Sequence, residues 1–182
     1  SVLVATKSPV WLMKRPSDFK RYLTIQLTRL RDQRVDFYLL HGLNGASFEK
    51  CLGLGAIEFL EAELRRGRIG SAGFFFHDIP SAFAPIVDSF DWGFCQIQYN
   101  LVDTEEQAGV AGLDYAVSKG LGVVVMEPLR GGDLVEKLPP EVEEGWRGEP
   151  GRTPVQHCLR WIWDHPGVST VLSGMNTVSQ LE

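Results

Sequence analysis

Two side chains capable of acid–base work stand at the ends of consecutive apolar runs. Lys7 follows "VLVAT" (2–6), and His41 follows "VDFYLL" (35–40). Both runs have the β-branched and aromatic composition of buried strands. Neighbouring strands lie about 4.8 Å apart, so a lysine and an imidazole at adjacent strand ends can share one cavity. A lysine in a partly dry cavity lowers the pKa of a nearby acid, and an imidazole can orient a carbonyl or donate a hydrogen bond to it. Strand side chains alternate in direction. His41 is therefore expected on the face of Phe37 and Leu39, with Tyr38 on the opposite one. The ordinary alternative is that Lys7 reaches solvent and His41 is a satisfied core histidine.

The elements that must position these groups follow from periodicity. After "VLVAT" a helix is predicted over 17–32, with Ser17 as its cap and Phe19, Tyr22, Leu23, Leu27 and Leu30 on one face. A second helix is predicted over 48–66, a strand over 68–76, a short helix over 79–90 and a strand over 93–99. A helix over 104–119 leads to the strand 121–126, and residues 131–151, rich in Gly, Pro and Glu, read as a long loop. A helix over 152–165 and a strand over 168–172 complete six strands alternating with five helical units. Strict alternation implies a parallel sheet, because each right-handed crossover lays the next strand parallel to the last. A doubly wound open sheet and a (β/α)8 barrel both fit. Neither GxGxxG after a strand nor GxxxxGK[ST] occurs, which weakens the nucleotide-binding open-sheet reading. A barrel would place its chemistry where strands end. Those ends read Lys7, His41, His77–Asp78, Gln96 with Gln98–Tyr99–Asn100, Glu127–Pro128 and Ser173–Gly174.

Composition narrows the partners. The net charge of −5 offers no basic surplus for nucleic acid or an anionic membrane, and 44% hydrophobic content is ample for a core. Cys51, Cys95 and Cys158 are odd in number and far apart, with no CxxC pair, so no metal site is read and a reducing cytoplasm is expected. No apolar run reaches the length of a membrane span. The chain opens inside a strand and closes at the start of a helix, so residues 1–182 are expected to be a single barrel domain, incomplete at both ends.

The motifs "VATK", "VDFYLLHGLN", "GRIGSAGFFFHD", "CQIQYN", "VVVMEPLRGG" and "VSTVLSGMNTVSQLE" occur in that order. Together they resemble the aldo-keto reductase superfamily over essentially the whole chain, from its third strand to its eighth. The similarity is nearest the prokaryotic branch that often carries a ferredoxin-like iron–sulfur segment after the barrel. The resemblance implies a truncated (β/α)8 TIM barrel and NADP(H)-dependent reduction of a small carbonyl compound, with NAD(H) left open. Lys7 matches the family lysine that depresses the pKa of an acid tyrosine, and His41 the histidine that orients the carbonyl. The family's Asp and Tyr would precede Ser1, so these residues alone are expected to be inactive. Gln96 matches the residue that binds the nicotinamide carboxamide. "MEPLRGG" (126–132) matches the pyrophosphate loop, with Met126 over the nicotinamide and Pro128, Leu129, Arg130 and Gly131 along the phosphates. Ser173, Gly174, Met175 and Gln180 match the adenosine end, with a helix N-terminus near Asn176 toward its phosphate. An iron–sulfur segment after Glu182 would be a further partner.

The sequence departs from that pattern in places. Phe75 stands where the family usually has serine, Met126 where many members have tyrosine, and no basic residue stands beside "SGMN" to pair with a 2′-phosphate. These departures also suit a second reading, a barrel that keeps the cofactor as a sensor without turnover. A third is Schiff-base chemistry at Lys7. The remaining features have structural readings: His77–Asp78 as a helix cap, one of Trp161 and Trp163 as core, "PPEVEEGW" as a solvated loop, and His157 and His165 as surface.

Overall fold

The computed structural model describes residues 2–137, 140–146, 151–175 and 177–181. Six strands, β1 (Ala5–Ser8), β2 (Val35–Leu43), β3 (Ile69–Phe76), β4 (Phe94–Gln98), β5 (Gly122–Met126) and β6 (Val168–Val171), form one sheet. They lie in sequence order, and every neighbouring pair is parallel. A doubly wound sheet reverses its strand order at a switch point; this one does not. The sheet is the wall of a (β/α)8 barrel over six strands, and the open-sheet alternative falls. No helix among the described residues is long and apolar enough to cross a membrane.

The register separates two faces. Tyr38, Leu40, Phe74, Phe76, Cys95, Ile97, Val123 and Val125 are buried beneath the helices. Over β1–β3 the covering layer is α1 (Pro16–Leu30), α2 (Gly45–Gly53) and α3 (Ala56–Arg65). Phe59 of α3 stacks on Phe19 of α1 at 5.5 Å and meets the edge of Tyr38 at 6.2 Å. Farther on, Phe83 of α4 (Phe83–Val87) packs on Phe76 at 4.9 Å. The other face carries Lys7, Phe37, His41, Phe75, Gln96, Gln98 and Met126, and is polar toward the C-terminal strand ends. Phe94 crosses Gly73 there to meet Phe37 at 5.4 Å. A methyl group on Gly73 would stand 2.6 Å from the Phe94 ring, so only glycine admits the crossing.

Several elements differ from the sequence reading for identifiable reasons. The first helix begins at Pro16 and is not capped by Ser17. Instead Asp18 reaches back, its Oδ2 accepting the N–H groups of Lys14 and Arg15, each at 3.0 Å. The helix expected over 48–66 starts at Gly45, capped by Asn44, whose side chain accepts the Ser47 N–H at 2.8 Å. It breaks at Gly53–Leu54–Gly55, where Gly55 takes a φ of 75°. The helix expected from 104 is α5 (Gly109–Ser118), because left-handed Gln107 (φ 54°) and Gly109 (φ 57°) hold the preceding stretch as turns.

The stretch expected as a loop after 131 holds two short helices, α6 (Asp133–Glu136) and α7 (Pro140–Trp146), and then α8 (Pro154–Trp163) follows. Acidic residues in the first turn of α6 suit the partial positive charge of a helix start. Neither Trp161 nor Trp163 is core; Cys158 and Ile162 fill that role on α8. His157 and His165, expected at the surface, are half-buried. His157 stacks flat on Trp146 at 4.8 Å, and His165 accepts the Gly167 N–H and lies 3.3 Å from Asp114.

Candidate active site

β1 begins at Ala5 and takes in Lys7, which pairs with Leu39 of β2. The second strand does not end at His41. It runs on to Leu43 through an irregularity after Leu40, where β2 spends three residues against two of β3, and Gly42 takes a φ of 67°. A bulge of this kind re-aims a side chain. It keeps Leu43 buried in the outer face with Leu40, where strict alternation from Leu40 would have turned it to the inner face that His41 takes.

Lys7 and His41 converge on one ring. The Lys7 ammonium lies 5.1 Å from the centre of Phe75, and the His41 ring lies 5.3 Å from it at 33°. Trp11 also meets His41, in an edge-to-face arrangement at 5.0 Å. Burial lowers the Lys7 pKa. Burial first, and then the positive charge of Lys7, lower that of His41. A neutral imidazole beside an ammonium can donate a hydrogen bond to a carbonyl without taking its proton.

Across β3 and β4 the same face continues. Phe75 is in register with Gln96, and Gln98 with Met126. Gln96 is 4% exposed, and among the described residues its Nε2 donates only to the Met126 sulfur, at 3.4 Å. A thioether is a weak acceptor, so this buried amide is poised for a better partner.

Beyond β4 lies a network that the sequence reading missed. Asp103, 6% exposed, accepts two hydrogen bonds on one oxygen, from Gln98 Nε2 at 3.0 Å and Asn100 Nδ2 at 2.9 Å, and the same oxygen forms an ion pair with Arg130 Nε at 3.4 Å. Asn100 Oδ1 accepts the N–H groups of Val102 and Asp103, and Gln107 Nε2 donates to Gln98 at 2.7 Å. The legible signal was "NLVD", an asparagine at a strand end with an aspartate three residues on, which is Asx-turn spacing.

The segment after β5 is strained. Glu127 (φ 55°) and Arg130 (φ 47°) are left-handed without being glycine, and Gly131 and Gly132 continue at 68° and 110°. Left-handed non-glycine backbone costs of order 1 kcal/mol per residue and clusters at ligand clamps. Pro128 is buried, Leu129 half-buried and Arg130 exposed. Ser173, Gly174 and Met175 follow β6 at the same end of the sheet and are exposed. Asn176, Glu182 and the side chain of Gln180 lie outside the described residues. The last helix, α9 (Val178–Leu181), is a single turn that starts after Asn176.

Two sequence candidates have structural tasks. Asp78 caps α2, accepting the Gly45 N–H at 2.7 Å, while His77 Nδ1 lies 3.2 Å from Gln107. Among the described residues no group of three His, Cys, Asp or Glu side chains could hold a metal ion.

A parallel barrel wall with its polar groups gathered at the strand ends defines a class of enzyme scaffold; the comparisons define the family. The model of the aldo/keto reductase family matches residues 1–182, and the chain belongs to that family. Among solved structures it is similar to the holo form of aldo-keto reductase AKR11C1 from Bacillus halodurans, with a TM-score of 0.81, 21% identity, and 99% of this chain against 64% of that one. It is also similar to the thermostable aldo-keto reductase Tm1743 in complex with the inhibitor epalrestat (TM-score 0.78, 26% identity, 99% and 63% covered). An aldo/keto reductase from Klebsiella pneumoniae in complex with NADP and acetate gives 0.75, 21%, 95% and 60%. The chain thus spans less than two thirds of each of these relatives. No curated protein sequence matches it.

Proposed function

We propose that this chain is the cofactor- and carbonyl-binding part of a nicotinamide-dependent reductase of aldehydes or ketones, using NADP(H), with NAD(H) as the other candidate. The observation that carries the reading is the placement of Lys7, His41 and the Gln96–Met126 pair on one face at the strand ends. The Klebsiella relative with bound NADP supports the choice of cofactor. A buried glutamine amide that donates to a thioether sulfur fits the carboxamide of a nicotinamide ring, with Met126 against the ring itself. Pro128, Leu129, Arg130 and Gly131 would follow the pyrophosphate, and Ser173, Gly174 and Met175 the adenosine.

When bound, the nicotinamide supplies a hydride to the carbonyl carbon. His41 holds the carbonyl oxygen with a ring N–H, and Lys7 places a positive charge beside the oxygen as it becomes anionic. A proton donor must complete the step. Tyr38 cannot be that donor, because it points to the outer face and burial pushes its phenol up to about 12. Tyr99 is enclosed between Trp161 and His165. The acid is therefore assigned to a residue outside the inner face described here.

The test is a fluorescence titration of NADPH and NADH, repeated with Gln96→Leu. Binding is expected, weakened roughly fivefold by the loss of about one hydrogen bond's worth of affinity. Binding of neither nucleotide would overturn the reading. Tight binding in the full-length protein with no turnover of any aldehyde or ketone would favour a cofactor sensor instead.

A further inference from the structure

Four side chains at the strand ends form an unbroken line of hydrogen bonds. His77, just past β3, lies 3.2 Å through its Nδ1 from Gln107 Oε1. Gln107 Nε2 donates to Gln98 Oε1 at 2.7 Å, and Gln98 Nε2 donates to Asp103 Oδ2 at 3.0 Å. A carboxylate only accepts, and each amide has one accepting and one donating end. Asp103 therefore sets the polarity of the whole line. Gln98 turns its nitrogen to Asp103 and its oxygen to Gln107, which in turn offers its own oxygen to His77. Only an N–H of a neutral imidazole can meet that oxygen. The proton of the ring is thus held on Nδ1, and the lone pair falls to Nε2.

We propose that His77 is a further binding residue of the site, held by this line in its Nδ1–H form so that Nε2 serves as a hydrogen-bond acceptor for the substrate. The group such a nitrogen takes is a donor: a hydroxyl or amide N–H that the carbonyl compound carries beside its reacting carbon. Gln107, Gln98 and Asp103 are positioning residues, since they act through His77. The substrate contact rests on the reductase reading above. The line of hydrogen bonds is a property of the folded chain and stands apart from that reading.

The fold places the ring for that contact. Side chains alternate along β3, so His77 follows Phe75 on the inner face, while Phe76 between them is buried in the outer one. The His77 ring lies 6.1 Å from Phe75, the ring on which Lys7 and His41 converge. Its backbone is held on both sides. The His77 N–H donates to the Leu43 carbonyl at 2.8 Å, and Asp78 accepts the N–H groups of Gly45 and Ile79. Gln107, whose amide bridges the ends of β3 and β4, is left-handed at a φ of 54° without being glycine. Backbone of this kind persists where its surroundings fix it, and it clusters at functional sites.

The experiment is NMR of the histidine ring nitrogens in isotopically labelled protein at about pH 9, where imidazoles are neutral. Wild type is compared with Gln107→Leu and Gln107→Asn, and His77→Phe identifies the signal. Leucine removes the amide. Asparagine suits the left-handed backbone but is one methylene too short to join Gln98 to His77. Circular dichroism confirms folding. Wild type is expected in the Nδ1–H form, favoured roughly fivefold by one hydrogen bond's worth of free energy, and both variants are expected to lose that preference. A wild-type ring in the Nε2–H form, or an unmoved signature in either folded variant, would overturn the line. In the full-length protein, kcat/KM is then compared for glycolaldehyde and propanal, which carries a methyl group in place of the hydroxyl. The preference for glycolaldehyde is expected to fall about fivefold in His77→Phe and in Gln107→Asn. A parallel NADPH titration separates the two ideas. Absent nucleotide binding with the Nδ1–H form in place sinks the reductase reading and the substrate contact, but not the line. Nucleotide binding with an unchanged aldehyde preference sinks the substrate contact alone.

Discussion

Asp103 gathers two hydrogen bonds and an ion pair on a single oxygen, which makes its removal a quantitative test of the network after β4. In Asp103→Ala, Gln98 loses its acceptor, Asn100 keeps only the Glu127 carbonyl at 3.2 Å, and Arg130 loses its carboxylate. A hydrogen bond to a charged acceptor contributes about 1.5–3 kcal/mol net. The Arg130 side chain is 49% exposed, so its ion pair is screened and adds well under about 1 kcal/mol. Two charge-assisted bonds, less the partial rescue of Asn100, put the loss at about 3 kcal/mol. Asp103→Asn retains the shape and one acceptor oxygen but gives up the charge, for a loss of about 1 kcal/mol. Urea unfolding, with the slope checked for constancy, measures both. An alanine variant within about 0.5 kcal/mol of wild type would refute the reasoning that these bonds to Asp103 stabilise the fold.

Three further outcomes follow from the packing. Gly73→Ala puts a methyl carbon 2.7 Å from the Phe94 carbonyl oxygen, which is backbone and cannot swing away. The expected cost is at the top of the overpacking range, about 3 kcal/mol by chemical denaturation, and a variant as stable as wild type would contradict it. Burial pushes the thiol of Cys51 up to about 11 and that of Cys95 up to about 12, and raises that of Cys158. Iodoacetamide at pH 8 is expected to label none of the three until urea is added, and mass spectrometry of the native protein checks this. Asp18 is held below the ordinary carboxylate range, first by the Lys14 N–H. A group depressed in the folded state contributes stability above its unfolded pKa and loses it as pH falls through the folded value. The stability gap between wild type and Asp18→Asn should therefore close below about pH 4, and a gap unchanged from pH 7 to pH 2.5 would refute the assignment.

The alternation of strand and helix, the parallel sheet, and the convergence of Lys7 and His41 on the inner face were all legible in the sequence. Each depends on a local period: two residues per side-chain alternation in strands, about 3.6 per turn in helices. Period alone assigned Tyr38 to the outer face, where it is buried. The motif order carried the family, and the family model spans the same residues.

What the sequence could not show lies wherever one segment answers to another far along the chain. The bulge at His41 exists only because β2 spends an extra residue against β3. Phe75 read as a departure from a motif, yet its ring is where the lysine and the histidine meet. Asp103 looked like one acidic residue among several, until β4 and the segment after β5 brought Gln98 and Arg130 to the same oxygen. Trp161 and Trp163 stand off the Cys158–Ile162 stripe of α8 and are exposed, although their size suggested a core role. Local periodicity determines which face a residue takes; only the folded sheet decides what stands opposite it, because contact distance depends on strand register and crossover packing.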